Sequence, residues 1–375
     1  DPDGSRSTEI ILDWFVNADH AGLFSATAGG HFAARGIELE TVVPSDPAAA
    51  LKEVAAGRSD FAISYQPEVL RARSEGIPVV AVAALVRVPL NSVIVRTDRN
   101  IARPRDLAGA TVGVTGLPTE KALVRAVVEA DGGDPDAVRL RTVGFELGPA
   151  IASGRVDAIA GAYWNIELPE LRARGIPVAA FRVDEHGVPP YAELVLVTGE
   201  DLLASDPRLV RDVLAGLAAG HRDLTEDGAP AIAALGAANP DLDPDLLASQ
   251  VGETAPLIAP DGEPPLVLSA TDEPPARSWQ AFADWMPPPR STPPSSRTHD
   301  GSRRHRRGRG GGSLGAGRRR RPAGGRLGRH PPRRRRAVGG ARRRRHVGPR
   351  LRVRARPRRA VTPPAPCGGT LAGFR

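Results

Sequence analysis

Cysteine is nearly absent from this chain, whose 375 residues include a single cysteine, Cys367. Residues 1–286 contain none, which excludes disulfides, iron–sulfur clusters and cysteine-ligated zinc from that part. No apolar run approaches the length of about 18 residues that a membrane-spanning helix needs. The chain also lacks a Ser-His-Asp order, a metal-spaced His cluster and a glycine-rich phosphate motif. We therefore expect no catalytic residue, no metal and no cofactor.

The last 89 residues differ in composition from the rest of the chain. Residues 287–375 hold 28 Arg and one acidic residue, Asp300, and no Lys, Ile, Glu, Asn, Gln, Tyr or Trp. Residues 1–286 hold 23 basic and 42 acidic residues. Without an apolar period the tail can form no core, so we predict a disordered basic tail at 287–375. We also expect residues 1–7 to be the flexible start of a processed chain.

Two interpretations of this tail are open. Its Arg runs, such as residues 318–321, would attract nucleic acid or an anionic membrane surface. A GC-rich gene read out of frame would also yield mostly Arg, Pro, Gly and Ala. The abrupt change after Met286 favours a frameshift. We therefore do not infer a nucleic-acid partner from the basic charge.

Short apolar runs rich in β-branched residues alternate with helical patterns along residues 8–286, which is typical of α/β folds. The predicted strands are 9–14, 38–43, 61–64, 79–86, 92–96, 111–114, 139–143, 158–161, 178–183 and 194–198. The predicted helices are 21–35, 47–56, 68–74 and 120–130, followed by an interrupted helical region from 207 to 286.

Two segments of this region resemble each other. Residues 55–65 and 152–163 each read as a helix stopped by Gly, a turn with Asp, and a buried strand that ends at a Tyr; Gly-Ile-Pro-Val follows at 76 and at 175. Open α/β sheets bind ligands at the carboxyl ends of their strands. This internal similarity predicts a cleft with Tyr65, Gln66 and Glu68 on one wall and, on the other wall, Tyr163, Trp164, Asn165 and Glu167. The alternative is an ordinary repeated unit with exposed tyrosines.

Five separated motifs carry a family resemblance. They are residues 12–23 (Leu-Asp-Trp-Phe-Val-Asn-Ala-Asp-His-Ala-Gly-Leu), 64–68 (Ser-Tyr-Gln-Pro-Glu), 89–92 (Pro-Leu-Asn-Ser), 161–165 (Gly-Ala-Tyr-Trp-Asn) and 190–195 (Pro-Tyr-Ala-Glu-Leu-Val). In this order they resemble the ABC-transporter substrate-binding proteins for thiamine pyrimidine precursors, which are bacterial relatives of the eukaryotic thiamine pyrimidine synthase. The resemblance covers about residues 8–286.

This resemblance implies a type II periplasmic-binding-protein fold, with two α/β lobes, a ligand cleft between them and two hinge crossings. We expect one lobe from residues 8–97 and 195–286 and the other from residues 98–194, with crossings near 96–105 and 191–195. The family role would be an extracytoplasmic lipoprotein that delivers formylaminopyrimidine or hydroxymethylpyrimidine to a permease and its ATPase. A lipid anchor upstream would be its link to the membrane.

Five of the seven Trp and Tyr residues fall in these motifs, which suits a flat aminopyrimidine. The expected ligand-binding residues are Asp13, Trp14, Asn17, Tyr65, Glu68, Asn91, Ser92, Tyr163, Trp164, Asn165, Tyr191 and Glu193. Trp14 would supply a stacking face, and Asp13 or Glu193 would accept from the exocyclic amine. Asn17, Ser92 and Asn165 would contact the other edges. Plainer roles are open: Asp13 as a helix cap, Glu193 at a hinge, and Asn17 in a turn.

The loop at residues 115–119 precedes a predicted helix, and we expect it to line the cleft. It is too short for a phosphate-binding loop, so a phosphate there is not our prediction.

Two other functions stay open. One is an enzyme related to the synthase, but those relatives carry a cysteine-rich run before the return crossing, where residues 188–195 here read Val-Pro-Pro-Tyr-Ala-Glu-Leu-Val. The other is a binding protein for a sulfonate or nitrate, which an acidic cleft disfavours.

Overall fold

A computed structural model describes residues 5–258 and 274–286, with the side chains of the second range from Trp279 onward. The predicted tail at 287–375 lies outside the described residues. In the described part, ten strands form two five-stranded sheets. The strands are β1 Arg6–Ile11, β2 Ile37–Val42, β3 Phe61–Ser64, β4 Val79–Val86, β5 Asn91–Arg96, β6 Thr111–Val114, β7 Arg139–Thr142, β8 Ala158–Tyr163, β9 Val178–Arg182 and β10 Leu194–Gly199.

The two sheets share one topology. The first has the order β2-β1-β3-β10-β4 and the second the order β7-β6-β8-β5-β9. In each sheet the first three strands are parallel, and the fourth is antiparallel to both of its neighbours. The second sheet is built from the consecutive strands β5–β9, whereas the first sheet takes its fourth strand, β10, from the chain that follows them. The predicted α/β fold with two lobes is confirmed.

We call residues 5–86 and 194–258 the first lobe and residues 91–182 the second lobe. The first passage between them therefore lies at 87–90, not at the expected 96–105. The expected boundary assigned β5 to the first lobe, but Val93 of β5 pairs with Ala160 and Phe181 in the second sheet. An apolar strand buried on both faces carries no mark of the sheet that it joins. Residues 6 and 7, expected in a flexible start, are part of β1 and pair with β2.

Eleven helices cover the sheets in the described ranges. They are α1 Ala21–Ala28, α2 Ala50–Ala55, α3 Gln66–Ser74, α4 Glu120–Ala130, α5 Leu147–Ala152, α6 Glu167–Ala173, α7 Glu200–Ser205, α8 Pro207–Glu226, α9 Ala229–Ala238, α10 Pro244–Ile258 and α11 Pro274–Trp285. Helix α1 is shorter than the predicted 21–35, because Gly29 and the left-handed Gly30 (φ +72°) end it. None of the helices described is both long and apolar enough to cross a bilayer.

The central strands of each sheet are buried on both faces. Along β10, Leu194 and Leu196 pack toward α1 and α8, while Val195 and Val197 pack toward α2 and α3. In the second lobe, Val93 and Val95 of β5 pack with α4 and their neighbour Ile94 packs with α5 and α6. This two-sided core leaves the strand ends as the place where polar side chains can gather.

Helix α11 contacts both lobes. Trp279 packs beside the first-lobe cluster that includes Val69 and Ala72, whereas the fully buried Phe282 joins the second-lobe cluster that includes Val95. The ring of Phe282 lies 4.9 Å, between centroids, from the ring of Tyr191. The helix therefore spans the two lobes behind the segment that returns the chain to the first sheet.

Candidate functional site

A cleft lies between the lobes, at the carboxyl ends of β1, β3, β6 and β8, where open α/β sheets place their ligands. Its cavity volume is about 30 Å³, so the lobes lie close together around it. Six residues expected to bind ligand line it: Trp14, Tyr65, Asn91, Tyr163, Tyr191 and Glu193. Residues 115, 117 and 119 of the loop expected to line the cleft do so as well. We expected neither Glu120 nor Gly161 there.

The mouth of the cleft is bridged by aromatic rings. Trp14, in the loop after β1, meets Phe145 of the second lobe edge to face, with ring centroids 4.6 Å apart at 76°. Phe15, 46% exposed, lies 4.9 Å from the same Phe145 ring. Such edge-to-face and tilted contacts are favourable geometries for aromatic pairs. The first-lobe loop is therefore held against the second lobe beside the stacking face that Trp14 offers.

Glu193 gathers four donors beneath the cleft. Its Oε2 accepts from the backbone N–H groups of Leu90 (2.8 Å) and Asn91 (2.9 Å) and from the Tyr191 hydroxyl (2.9 Å). Its Oε1 accepts from the Tyr163 hydroxyl at 3.3 Å. Burial raises the pKa of Glu193 to about 7, although these hydrogen bonds act in the opposite direction. Glu193 thus joins the first passage at residues 87–90 to the second passage at residues 183–193, and it also lines the cleft.

Asp13 holds two neighbours rather than capping a helix. Its Oδ2 accepts from the Tyr65 hydroxyl at 2.9 Å, and its Oδ1 lies 2.9 Å from Nε2 of His20. The Nδ1 atom of His20 accepts from the backbone N–H of Asn17 at 3.2 Å. A neutral His20 therefore carries its proton on Nε2 and donates it to Asp13. His20 therefore orients this loop through its contacts with Asp13 and Asn17.

Asn17 and Ser92 are not among the residues that line the cleft, and their contact with a ligand stays a prediction. Asn17 caps the short helical turn that follows it: its Oδ1 accepts from the Asp19 N–H at 2.9 Å, and its Nδ2 donates to the Phe15 carbonyl. The Ser92 hydroxyl is fully buried and donates to the Ala162 carbonyl at 2.8 Å. Both side chains complete local backbone structure, as Asn and Ser commonly do.

Trp164 and Asn165 also have structural partners in place of the expected contact with the cleft. The Trp164 indole donates to the Pro89 carbonyl at 3.3 Å. The Asn165 amide is fully buried and donates to Asp19 Oδ1 (2.7 Å) and to the Thr254 hydroxyl (3.0 Å), both in the first lobe. These contacts attach the end of β8 to the first lobe.

Gln66 and Glu167, which the internal similarity placed on the cleft walls, bond to backbone groups. The Gln66 side-chain oxygen accepts from the Ala192 N–H at 2.8 Å, and Glu167 accepts from the Tyr163 N–H at 2.7 Å. Gln66 thus holds the backbone of the second passage at Ala192, and Glu167 holds the end of β8 at Tyr163.

Glu68 connects the lobes. Its Oε1 accepts from the backbone N–H of Thr119 at 3.2 Å and from the Thr119 hydroxyl. Burial raises the pKa of Glu68, against the effect of these hydrogen bonds. Glu68 lines a neighbouring groove with a volume of about 280 Å³, which Asp13 and Tyr65 also line. Of the expected ligand-binding residues, Asp13, Tyr65 and Glu68 therefore line this groove.

Glu120, at the start of α4, is the carboxylate that the sequence analysis missed. Its Oε1 accepts from the Thr115 N–H (3.0 Å) and hydroxyl (2.7 Å), and its Oε2 accepts from the Gly116 N–H (2.8 Å). Burial raises the pKa of Glu120 to about 7. The loop N–H groups that could have held a phosphate are thus occupied by this carboxylate. An acidic residue in a first helical turn is too common a feature to have identified it.

Gly161 makes room for Glu120. It has φ +84°, and a Cβ built there would lie 2.4 Å from Glu120 Oε1. In the part of the chain that the structure describes, no group of three or more His, Cys, Asp or Glu side chains is arranged to hold a metal ion.

The alkanesulfonate-binding protein of Xanthomonas axonopodis pv. citri bound to MOPS has a similar structure. The TM-score is 0.58 over 74% of this chain and 91% of that one, with 16% sequence identity. This likeness concerns the fold, and it confirms the type II periplasmic-binding-protein fold that we predicted.

Relatives by sequence include the formylaminopyrimidine-binding protein of Halalkalibacterium halodurans, 42% identical over 200 residues. That match covers 53% of this chain and 61% of the relative. The 4-amino-5-hydroxymethyl-2-methylpyrimidine phosphate synthase of Uromyces fabae is 26% identical over 225 residues, which cover 56% of this chain and 64% of the synthase. The matches thus span less than two thirds of either relative. The model of the NMT1/THI5-like family matches residues 17–231, more than half of the chain, and the chain therefore belongs to this family.

Proposed function

We propose that this chain is a solute-binding protein whose two lobes close on a formylaminomethyl pyrimidine precursor of thiamine. One observation carries the proposal: a narrow cleft between the lobes is lined by four aromatic side chains and by two buried carboxylates, Glu120 and Glu193. The aromatic residues are Trp14, Tyr65, Tyr163 and Tyr191.

The lining suits the chemistry of an aminopyrimidine. The ring is flat and weakly basic, it carries an exocyclic amine donor, and its nitrogens accept hydrogen bonds. Each aromatic stacking contact contributes about 0.5–1.5 kcal/mol beyond area burial, and each buried hydrogen bond about 1 kcal/mol. Two ring faces and two or three hydrogen bonds could therefore hold a small heterocycle. Protonation of the ring would strengthen its bonds to a carboxylate.

The choice of pyrimidine rests on sequence. The relative that is 42% identical is named for binding formylaminopyrimidine, so we favour the formylaminomethyl arm over the hydroxymethyl arm. The likeness to an alkanesulfonate-binding protein at 16% identity concerns the fold. Because two acidic side chains line the cleft, a sulfonate or nitrate would meet unfavourable charge there.

Enzyme activity is the second candidate, since a synthase of 4-amino-5-hydroxymethyl-2-methylpyrimidine phosphate is among the relatives. We favour binding over catalysis because residues 188–195 contain no cysteine, whereas the synthase-like family members carry a cysteine-rich run there.

The proposed setting is extracytoplasmic. A permease and its ATPase would recognise the closed form, which the ligand stabilises through contacts that the open form lacks.

Calorimetric titration of the full chain tests this proposal. The ligands are the formylaminomethyl pyrimidine, its hydroxymethyl analogue, thiamine and taurine. We expect micromolar or tighter binding of the formylaminomethyl pyrimidine and a loss of at least tenfold in Trp14→Ala, which removes a stacking face. Leu140→Ala, on the exposed strand β7, is the control and should bind like the parent protein.

Absence of binding by any pyrimidine, in a sample with the circular dichroism of a folded α/β protein, would reject the proposed function. Tight binding of taurine alone would reassign the protein to the sulfonate binders. Turnover of a pyrimidine precursor by the purified chain would replace binding with catalysis.

A further inference from the structure

The two carboxylates of the cleft differ in how much acceptor capacity they have left. A carboxylate offers about four lone-pair positions, two on each oxygen. Glu193 receives three donors on Oε2 and one, at 3.3 Å, on Oε1. Among the described residues, Oε1 of Glu193 is therefore the atom of this side chain with room for one more donor.

Glu120 shows the complementary arrangement. Its Oε1 is filled by the two donors of Thr115, while Oε2 receives one donor, the Gly116 N–H. The residue is 3% exposed and lines the cleft. Within the described part of the chain, Oε2 is thus a buried acceptor with one position unused. A buried acceptor is stabilised when a donor reaches it.

The two carboxylates have different surroundings. Two hydroxyl partners of Glu193 belong to the cleft tyrosines Tyr163 and Tyr191, so the aromatic ring of a ligand belongs beside Glu193. Glu120 lies in the second lobe beside Thr115 and near the aliphatic Leu123, which also lines the cleft. This environment suits a substituent of the ring rather than the ring itself.

The position of Glu120 is fixed on three sides. Thr115 and Gly116 hold its two oxygens, and the absence of a side chain at Gly161 leaves the space that Oε1 occupies. The positive end of the α4 helix dipole also favours an ionised carboxylate at this first helical position. A ligand group would therefore meet a preorganised acceptor rather than a mobile side chain.

We propose that Glu120 determines specificity by accepting a hydrogen bond from the N–H of the arm on the pyrimidine, while Glu193 accepts from the exocyclic amine of the ring. This inference rests on the proposed function and adds the chemical class of the second group: a donor on the first heteroatom of the arm. A ligand whose arm lacks a donor would leave Glu120 buried without its last partner.

Calorimetry with paired ligands tests this assignment. The pair is the formylaminomethyl pyrimidine and 4-amino-2,5-dimethylpyrimidine, which keeps the ring and amine but has no donor on the arm. At about pH 8, above the raised pKa of Glu120, we expect the parent protein to prefer the first by about tenfold or more, the range of a hydrogen bond to a charged acceptor. In Glu120→Gln this preference should shrink to about threefold or less, because an amide must place its NH₂ group toward one of the donors.

Binding of the dimethyl analogue serves as the internal measure of a folded cleft, and it should be unchanged in the variant. Glu129→Gln, on the exposed side of the same helix, is the matched control and should keep the full preference. If Glu120→Gln does not fold, Glu120→Asp replaces it, since the shorter carboxylate keeps the charge but withdraws the acceptor from the arm.

The outcomes separate the two proposals. If the parent protein binds neither pyrimidine, the proposed function fails. If it binds both equally, or if the Glu120 variants keep the full preference, the function stands and the role of Glu120 is overturned.

Discussion

Glu68 of the first lobe accepts hydrogen bonds from both the backbone N–H and the hydroxyl of Thr119, the residue just before α4 in the second lobe. The bonded carboxylate lies beside the N-terminus of that helix, where a negative charge is favoured. An interaction that joins the lobes stabilises the closed arrangement relative to any arrangement in which the lobes separate. Under the proposed closure of the lobes on a ligand, the contact between Glu68 and Thr119 would couple closure to binding.

Replacing Glu68 by Gln should weaken ligand binding by about fivefold to thirtyfold, because about 1–2 kcal/mol of charge-assisted hydrogen bonding is lost from the closed form. Calorimetry measures the affinity, and a double-mutant cycle with Thr119→Val isolates the pair. Glu75→Gln, exposed at the end of the same helix, is the control. Additive effects of the Glu68 and Thr119 substitutions would show that their contact contributes nothing to closure.

Gly161→Ala should destabilise the protein more than Gly175→Ala. Both glycines have positive φ, +84° and +72°, so both substitutions impose a backbone strain of about 1–2 kcal/mol. A Cβ at Gly161 meets Glu120 Oε1 at 2.4 Å, whereas one at Gly175 meets nothing within 4 Å. The difference in the free energy of unfolding by urea measures this clash. Equal losses in the two variants would mean that Glu120 moves aside freely.

The sequence predicted those elements whose local pattern was unambiguous. The predicted strands 61–64, 79–86 and 111–114 and the predicted helix 120–130 coincide with β3, β4, β6 and α4. Each is a short apolar run or amphipathic segment bounded by turn residues, so its own composition defines it.

The features that could not be predicted from the sequence depend on contacts between residues that are distant in the chain. The apolar strand β5 suits either sheet, and only its pairing with β8 and β9 assigns it to the second lobe. Asn17 and Ser92 lie in motifs that surround the cleft, but the direction of a side chain depends on backbone geometry that sequence alone does not reveal. Glu120 was missed because its role depends on Gly161, which lies 41 positions further along the chain and reaches it only through folding.

Asp19 should make the stability of the protein fall as pH rises from about 4 to about 7. Burial raises its pKa from 3.8 to about 7 in the folded protein. In this range the folded state keeps a proton that the unfolded state has lost, so unfolding becomes easier as pH rises, by up to about 1.4 kcal/mol per pH unit.

Asp19→Asn removes this titration. Its free energy of unfolding should be close to that of the parent protein near pH 4 and higher by a few kcal/mol near pH 8. Denaturation at both pH values measures the difference, with the exposed Asp241→Asn as control. The Oδ2 atom of Asp19 has no hydrogen-bond partner among the described residues, which is consistent with a protonated carboxyl. A parallel pH dependence in the parent and in Asp19→Asn would contradict this assignment.

Phe282→Ala should lower both stability and ligand affinity. The side chain is fully buried and packs on Tyr191, whose hydroxyl donates to Glu193 in the cleft. Loss of a buried Phe costs about 3–5 kcal/mol, and a less restrained Tyr191 would also loosen the position of Glu193. Gln280→Ala, exposed on the same helix, should change stability by less than about 0.5 kcal/mol. Urea denaturation and calorimetry measure the two effects. If Phe282→Ala lost stability but the folded variant kept full affinity, α11 would only stabilise the packing of the two lobes. A loss of both stability and affinity would show that this helix also positions the binding-site residues Tyr191 and Glu193.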